Sequence, residues 1–270
     1  MRVSLVVSVS IMLGVTSVAF GQANPVLIIN GASSTSESGT TSSITSNLQS
    51  KIIAAGGTPT IVDTPPGSIT SYKQVWDIRF SNASPLTGPD ITQYVNYLAG
   101  GGVLFVMGEN SSFTTRNNSV ISLVSSAGGG AITFLTPLSA QTVLAPFTGP
   151  NAVTSITYNA PGGAGGATPG TGAFMTRDSS NNGTGIVWNK NTMTNAANGV
   201  LSVVFDVNFM QDTADSNSQN FLRNLINFNN VSSGVVSGTG VPTLSEYGII
   251  ALSLLLVLFG ASRLRAGHTA

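Results

Sequence analysis

Between residues 24 and 130 the apolar positions fall into two alternating patterns. Continuous runs read as strands buried on both faces, and four-residue spacings read as amphipathic helices. Asn24–Asn30 (NPVLIIN) is a run of the first kind, ended by Gly31, and Ile44, Leu48 and Ile52 then repeat at helical spacing up to Gly56-Gly57. Thr58–Val62 predicts a short second strand, and Gln74–Phe80 (QVWDIRF) a third with Trp76 and Ile78 on one face. Pro89 stands where a first helical residue belongs, with Ile91, Tyr94, Val95 and Leu98 marking a helix face that stops at Gly100-Gly101-Gly102. Val103–Met107 (VLFVM) is the clearest strand. It is followed by Gly108-Glu109-Asn110-Ser111 and by a helical pattern at Val120, Ile121, Val124 and Ala127 that stops at Gly128-Gly129-Gly130. Strand and helix in alternation predict a right-handed parallel α/β sheet with helices on both faces.

Residues 131–199 break this rhythm. Five prolines and the stretch PGGAGGATPGTG leave room only for short strands, expected at Ala131–Leu135, Ser155–Tyr158 and Gly185–Asn189, so the segment reads as an irregular, β-rich insertion on the sheet. Order returns at Val200–Val207 (VLSVVFDV), a buried strand with Asp206 at its carboxyl end. Ser216 and Gln219 then fit a capping box opening a last helix, with Phe221, Leu222, Leu225, Ile226 and Phe228 facing the core. The exported α/β domain is accordingly placed at residues 24–230, and residues 231–240 (VSSGVVSGTG) read as a flexible tether.

Both flanks are apolar. Arg2 followed by Val3–Phe20, with small residues at Gly21 and Ala23, predicts a signal peptide over residues 1–23. From Tyr247 to Ser262 no residue is charged; that stretch would make roughly 24 Å of helix, a short span for a bilayer core of about 30 Å. Arg263 and Arg265 close it as a membrane stop on the side that the positive-inside rule assigns to the cytoplasm. Ahead of this transmembrane helix stand Val241, Pro242, Thr243, Leu244, Ser245, Glu246, Tyr247 and Gly248. These residues resemble the IPTL-CTERM sorting signal of Gram-negative bacteria, with Val241 in place of the usual Ile and Tyr247 in place of the usual Trp. The resemblance covers residues 241–265. It implies an exosortase-type membrane enzyme as partner, besides signal peptidase and the secretion machinery, and a route from an inner-membrane intermediate to the cell surface or extracellular matrix. An ordinary single-pass anchor is the other reading of the same tail.

Composition narrows the chemistry. The chain has no Cys, and its one His, His268, lies beyond the predicted membrane helix, so Ser-His-Asp and Cys-His nucleophile systems and thiolate or imidazole metal sites are excluded from the exported domain. No cofactor and no metal are expected. Only 7% of residues are charged, and between residues 24 and 240 nine acidic side chains face seven basic ones without a basic cluster. That balance argues against nucleic acid as a partner. A surface of Ser, Thr, Asn and Gly suits a matrix or envelope setting, where surface polysaccharide is a candidate partner.

The element order over residues 25–127 and 199–228 resembles the class I glutamine amidotransferase-like folds, with a plain flavodoxin-like sheet as the alternative. Those folds place a nucleophilic Cys at a strand-to-helix elbow. Gly108-Glu109 occupies that place here, so the resemblance implies the scaffold and not the chemistry. Ligands of open parallel sheets bind beyond the carboxyl ends of the strands. There Glu109 and Asp206 would form a carboxylate pair, with Asn110, Asn208 and Arg116 as hydrogen-bonding partners. Three roles are open to the pair: fixing loops, holding a ligand or hard cation, or hydrolysing a glycosidic bond in envelope or matrix polysaccharide. A non-enzymatic surface or ligand-binding role is the expectation, and a carboxylate-dependent hydrolase the alternative. Trp76 and Trp188, inside strand-like runs, are expected in the core.

Overall fold

A computed structural model describes residues 24–34, 37, 39–166 and 169–234. The predicted signal peptide, most of the tether, the sorting motif and the membrane helix at 247–262 lie outside the described residues. Among those described, no helix is long and apolar enough to cross a membrane.

The first half follows the sequence pattern. The order is β1 (Asn24–Ile29), α1 (Ile44–Ala54), β2 (Gly57–Val62), β3 (Gln74–Asp77), α2 (Gly88–Ala99), β4 (Val103–Met107) and α3 (Thr114–Ala127), with β2 running to β3 without a helix. Then come the short strands β5 (Phe134–Leu135), β6 (Ala140–Val143), β7 (Ser155–Thr157), β8 (Gly163–Ala164), β9 (Ala173–Phe174) and β10 (Thr176–Arg177). They are followed by β11 (Gly185–Trp188), β12 (Val200–Val204) and α4 (Ser216–Ser232).

The main sheet has seven strands in the order β2-β1-β3-β4-β12-β11-β9. Its first five are parallel to one another, in the order of a doubly wound sheet that reverses at β1. Alternating side chains serve two cores. Val26, Ile28, Trp76, Val103 and Phe105 meet Ile44, Leu48 and Ile52 of α1 and Phe221, Leu222 and Leu225 of α4 on one face. Leu27, Ile29, Val75, Leu104 and Val106 meet Tyr94 and Leu98 of α2 and Val120, Leu123 and Val124 of α3 on the other. Trp76 and Ile78 share the first face, as their spacing predicts; Trp76 stacks on Phe105 with ring centroids 4.7 Å apart. Trp188 is fully buried in the second core, its Nε1 donating to Gly129 O at 2.9 Å.

Three expectations are corrected. The sheet is mixed, not parallel throughout: β11 pairs antiparallel with β12, and β9 antiparallel with β11, so part of the 131–199 segment extends the sheet instead of sitting on it. The remaining short strands wrap the far edge on both sides. β10-β6-β7 closes the first core through Val143 and Ile156, and β5-β8 closes the second through Ala164. The last helix is capped by Asp215, whose side chain accepts from Ser218 N at 2.7 Å, so the cap stands one residue before the predicted Ser216. Helix α4 also runs on through Val231 and Ser232, two residues into the predicted tether.

Turns carry their usual chemistry where geometry demands it. α2 opens with a full capping box between Thr87 and Asp90. α3 stops at Gly128, whose φ of 81° is left-handed and which lies so close to Thr194 that a side chain would collide with it.

Candidate functional site

The strand carboxyl ends gather most of the domain's carboxylates. Asp63 follows β2, Asp77 ends β3, Glu109 follows β4 and Asp206 follows β12. Asp90 and Asp215 stand at the starts of α2 and α4, and Glu37 accepts from Thr45 N in the first turn of α1. Helix N-termini favour such anions.

Two buried clusters form there. In the first, Glu109 is 2% exposed and Asp206 fully buried. Glu109 Oε1 accepts from Asn110 N at 2.9 Å and from Asn110 Nδ2 at 3.0 Å, and Glu109 Oε2 accepts from Val207 N at 2.9 Å. The carboxylate after β4 therefore clasps the loop after β12. Asp206 accepts from Asn208 N at 2.7 Å and, through Oδ2, from Ala160 N at 3.1 Å, so the same edge also holds the loop that leads into β8. Gly162 packs beneath: a methyl group there would sit 2.4 Å from Glu109 O and 2.7 Å from the Phe134 ring. Asn117 of α3 completes the seal, accepting from Glu109 N at 2.9 Å and donating to both Glu109 O and Asn110 O at 2.8 Å.

Burial, then the charge of Asp206, pushes Glu109 up from its ordinary value to about 7, against the amide bonds that favour its charged form. Burial also pushes Asp206 up to about 6, against bonds from Ala160, Asn208 and Asn159. The charge of Asp206 thus makes Glu109 harder to ionise.

The second cluster centres on Asp77, fully buried on the α2/α3 face. Arg79 grips it through Nε–Oδ1 at 2.9 Å and Nη2–Oδ2 at 2.6 Å, Arg116 Nη2 reaches Oδ1 at 3.2 Å, and Tyr94 Oη donates to Oδ2 at 2.8 Å. Arg116 spends its other donors on Met107 O and Ser84 O, both at 3.0 Å. Burial works against the charge on Asp77, yet the Arg116 and Arg79 guanidiniums and the bonds from Arg79 and Tyr94 outweigh it and hold the carboxyl at about 2. Burial lowers Arg116 from its ordinary value, with Asp77 opposing.

The predicted edge residues thus divide. Glu109, Asn110, Asp206 and Asn208 come together. Arg116 belongs instead to the Asp77 cluster, which sequence reasoning missed although two charged residues inside the apolar run QVWDIRF were its visible signal. Both carboxylates of the first pair are buried. A groove of about 850 Å³ runs between Pro65–Thr70 and α2, and a hollow of about 200 Å³ is lined by Asn159, Asn208, Phe209 and Asp215; Glu109 and Asp206 line neither.

The arrangement is that of a doubly wound α/β domain with an antiparallel extension and a sealed carboxylate edge. Its fold is similar to that of the mmIFT52 N-terminal domain, at 15% identity and a TM-score of 0.53, over 82% of this chain and 100% of that one. A beta-galactosidase from Rahnella sp. R3 matches at 11% identity and a TM-score of 0.48, over 83% of this chain but 33% of the enzyme chain. A ThuA-like protein from Bacteroides uniformis matches at 13% identity and a TM-score of 0.46, over 76% of this chain and 91% of that one. At 15% identity the likeness to the mmIFT52 domain is one of fold alone. No curated protein sequence matches the chain. The tail, by contrast, is matched in sequence: residues 239–266 fit the IPTL-CTERM motif, the C-terminal sorting signal of exported proteins.

Proposed function

We propose that this chain is the cargo of an exosortase-type sorting system, exported and carried to the cell surface or matrix, where its α/β domain serves a non-enzymatic surface role. The match of residues 239–266 to the sorting motif carries this reading. The predicted signal peptide supports it, since a C-terminal sorting signal acts on chains already crossing the inner membrane. The exported domain contains neither Cys nor His, and its most perturbed carboxylates are occupied by main-chain amides of their own loops. Within this proposal Glu109 and Asp206 fasten three loops together, and the elbow at Gly108-Glu109 keeps an amidotransferase-like scaffold without a nucleophile. The hydrolase alternative would need both carboxylates to face a substrate across a gap of about 5 to 9.5 Å, which their burial disfavours.

Mass spectrometry of surface-released protein tests the sorting step. Processed cargo lacks peptides from Ile249–Arg265 while retaining those from the α/β domain. Released protein that still carried the tail peptides would sink the processing step.

A further inference from the structure

The chain enters and leaves the domain at the same end. Asn24, the first residue of β1, is buried, and its Nδ2 donates to Asn230 Oδ1 at 3.0 Å near the end of α4. Gln74 Nε2, at the start of β3, donates to the same oxygen at 2.5 Å, while Asn230 Nδ2 donates to Ala55 O at 3.3 Å just beyond α1. One buried amide therefore ties the beginnings of two strands to the ends of two helices, and Gly234 follows four residues later. Whatever precedes Asn24 and follows Gly234 is attached at the amino ends of the strands.

Surface charge is sorted along the same axis, the buried Arg79 and Arg116 being engaged by Asp77. The carboxylates of the described domain stand at the carboxyl ends of the strands or the starts of the helices, and Asp178 joins them, in the loop that leads back to Thr184 beside Phe205. The opposite end carries lysines. Exposed Lys73 precedes β3, its backbone N–H donating to Pro25 O at 2.8 Å. Exposed Lys190 follows the Trp188 end of β11, which pairs with Leu201 near the start of β12. Among the described residues no Asp or Glu stands at this end.

We propose that the face made by the amino ends of the strands is the membrane-docking surface of the tail-anchored chain, with anionic lipid headgroups as its partner, Lys73 and Lys190 as contacts, and the acidic edge turned away. The proposal rests on the reading of residues 247–262 as a membrane-inserted helix. Each lysine brought against an anionic leaflet gives about a fivefold preference, and the effect fades within a Debye length of about 8 Å at physiological salt. Two lysines at one end and carboxylates at the other are enough to orient a domain that the chain already holds by that end.

The absence of Cys makes the test clean, because a single introduced thiol is the only label site. Ser71→Cys probes the exposed amino end and Ser112→Cys the exposed carboxyl end. The full chain, labelled at either position with a fluorophore, is reconstituted into phosphatidylcholine vesicles with or without phosphatidylglycerol and with a quencher on the headgroups. Docking predicts several-fold stronger quenching at Ser71→Cys than at Ser112→Cys when phosphatidylglycerol is present. The contrast shrinks with Lys73→Gln/Lys190→Gln, and further with Lys73→Glu/Lys190→Glu or high salt. Equal quenching at the two positions overturns the docking face and leaves the tail reading intact, and a contrast unaffected by charge reversal overturns the role of the lysines. A chain that fails to float with the vesicles overturns the tail reading together with the proposal.

Discussion

Replacing Glu109 with Gln isolates the energetic role of the sealed edge. Glu109 titrates at about 7 in the folded domain, against an ordinary 4.5. Between those values the unfolded chain has released the proton that the folded chain still holds, so unfolding releases a proton and stability falls as pH rises. A gap of two to three pH units at about 1.36 kcal/mol each makes this about 3 kcal/mol, fully present below pH about 4.5 and gone above pH about 7. Asp206, raised from 3.8 to about 6, acts in the same direction over a lower window. Asp77, held at about 2, acts oppositely: its contribution is complete above about pH 3.8 and is lost as pH falls toward 2. The parent should therefore be most stable near pH 4 to 5 and weaken toward pH 8. Glu109→Gln removes the largest part of that slope. It also exchanges one acceptor for an amide donor opposite Val207 N or Asn110, at a cost of about 1–3 kcal/mol that does not vary with pH. Denaturant unfolding of the full chain in detergent across pH 4–8, followed by the fluorescence of buried Trp76 and Trp188, reads both effects. Parent stability that stayed flat or rose from pH 5 to 8 would rule out this role for Glu109, as would an unchanged slope in the variant.

Asp77→Asn leaves the fully buried Arg116 without its counter-charge and should cost about 3–5 kcal/mol, seen as a fall in Tm of about 10 °C or more. Gly162→Ala drives a methyl group onto Glu109 O and Phe134, and should lower stability by about 1–3 kcal/mol while increasing proteolysis in the 159–166 loop. Asn230→Leu removes the acceptor shared by Asn24 and Gln74; a loss of about 2 kcal/mol or more is expected in denaturant unfolding. Calcium in excess, or its removal by chelator, should leave Tm unchanged, whereas a cation held at the edge at a hundred times its Kd would add about 2.7 kcal/mol.

The parallel half of the fold was legible because each of its strands is buried on both faces. Asn24–Ile29 and Val103–Met107 are continuous apolar runs with glycine stops, which no solvent-exposed segment would carry. Gly185–Trp188 was equally visible as a strand, but nothing local to GIVW states that its neighbour is β12 or that the pairing is antiparallel. Two-residue strands such as Ala173–Phe174 are too short for any period and exist only because the sheet edge offers partners. At the candidate site, element order alone was enough to bring Glu109 and Asp206 to one edge, since both follow adjacent parallel strands. Their burial was not legible, because it depends on Ala160 and Gly162 folding over them from a loop whose path the glycines leave open. Asp77 and Arg116 lie 39 residues apart on a strand and a helix, and their pairing is a product of three-dimensional packing.

Fractionation of cells expressing the parent and Pro242→Ala chains tests whether the tail directs sorting, because the substitution perturbs the sorting motif without touching the α/β domain. The parent should reach the cell surface or medium while Pro242→Ala accumulates in the inner membrane with its tail intact. Equal delivery of both chains to the surface would contradict sorting by the tail.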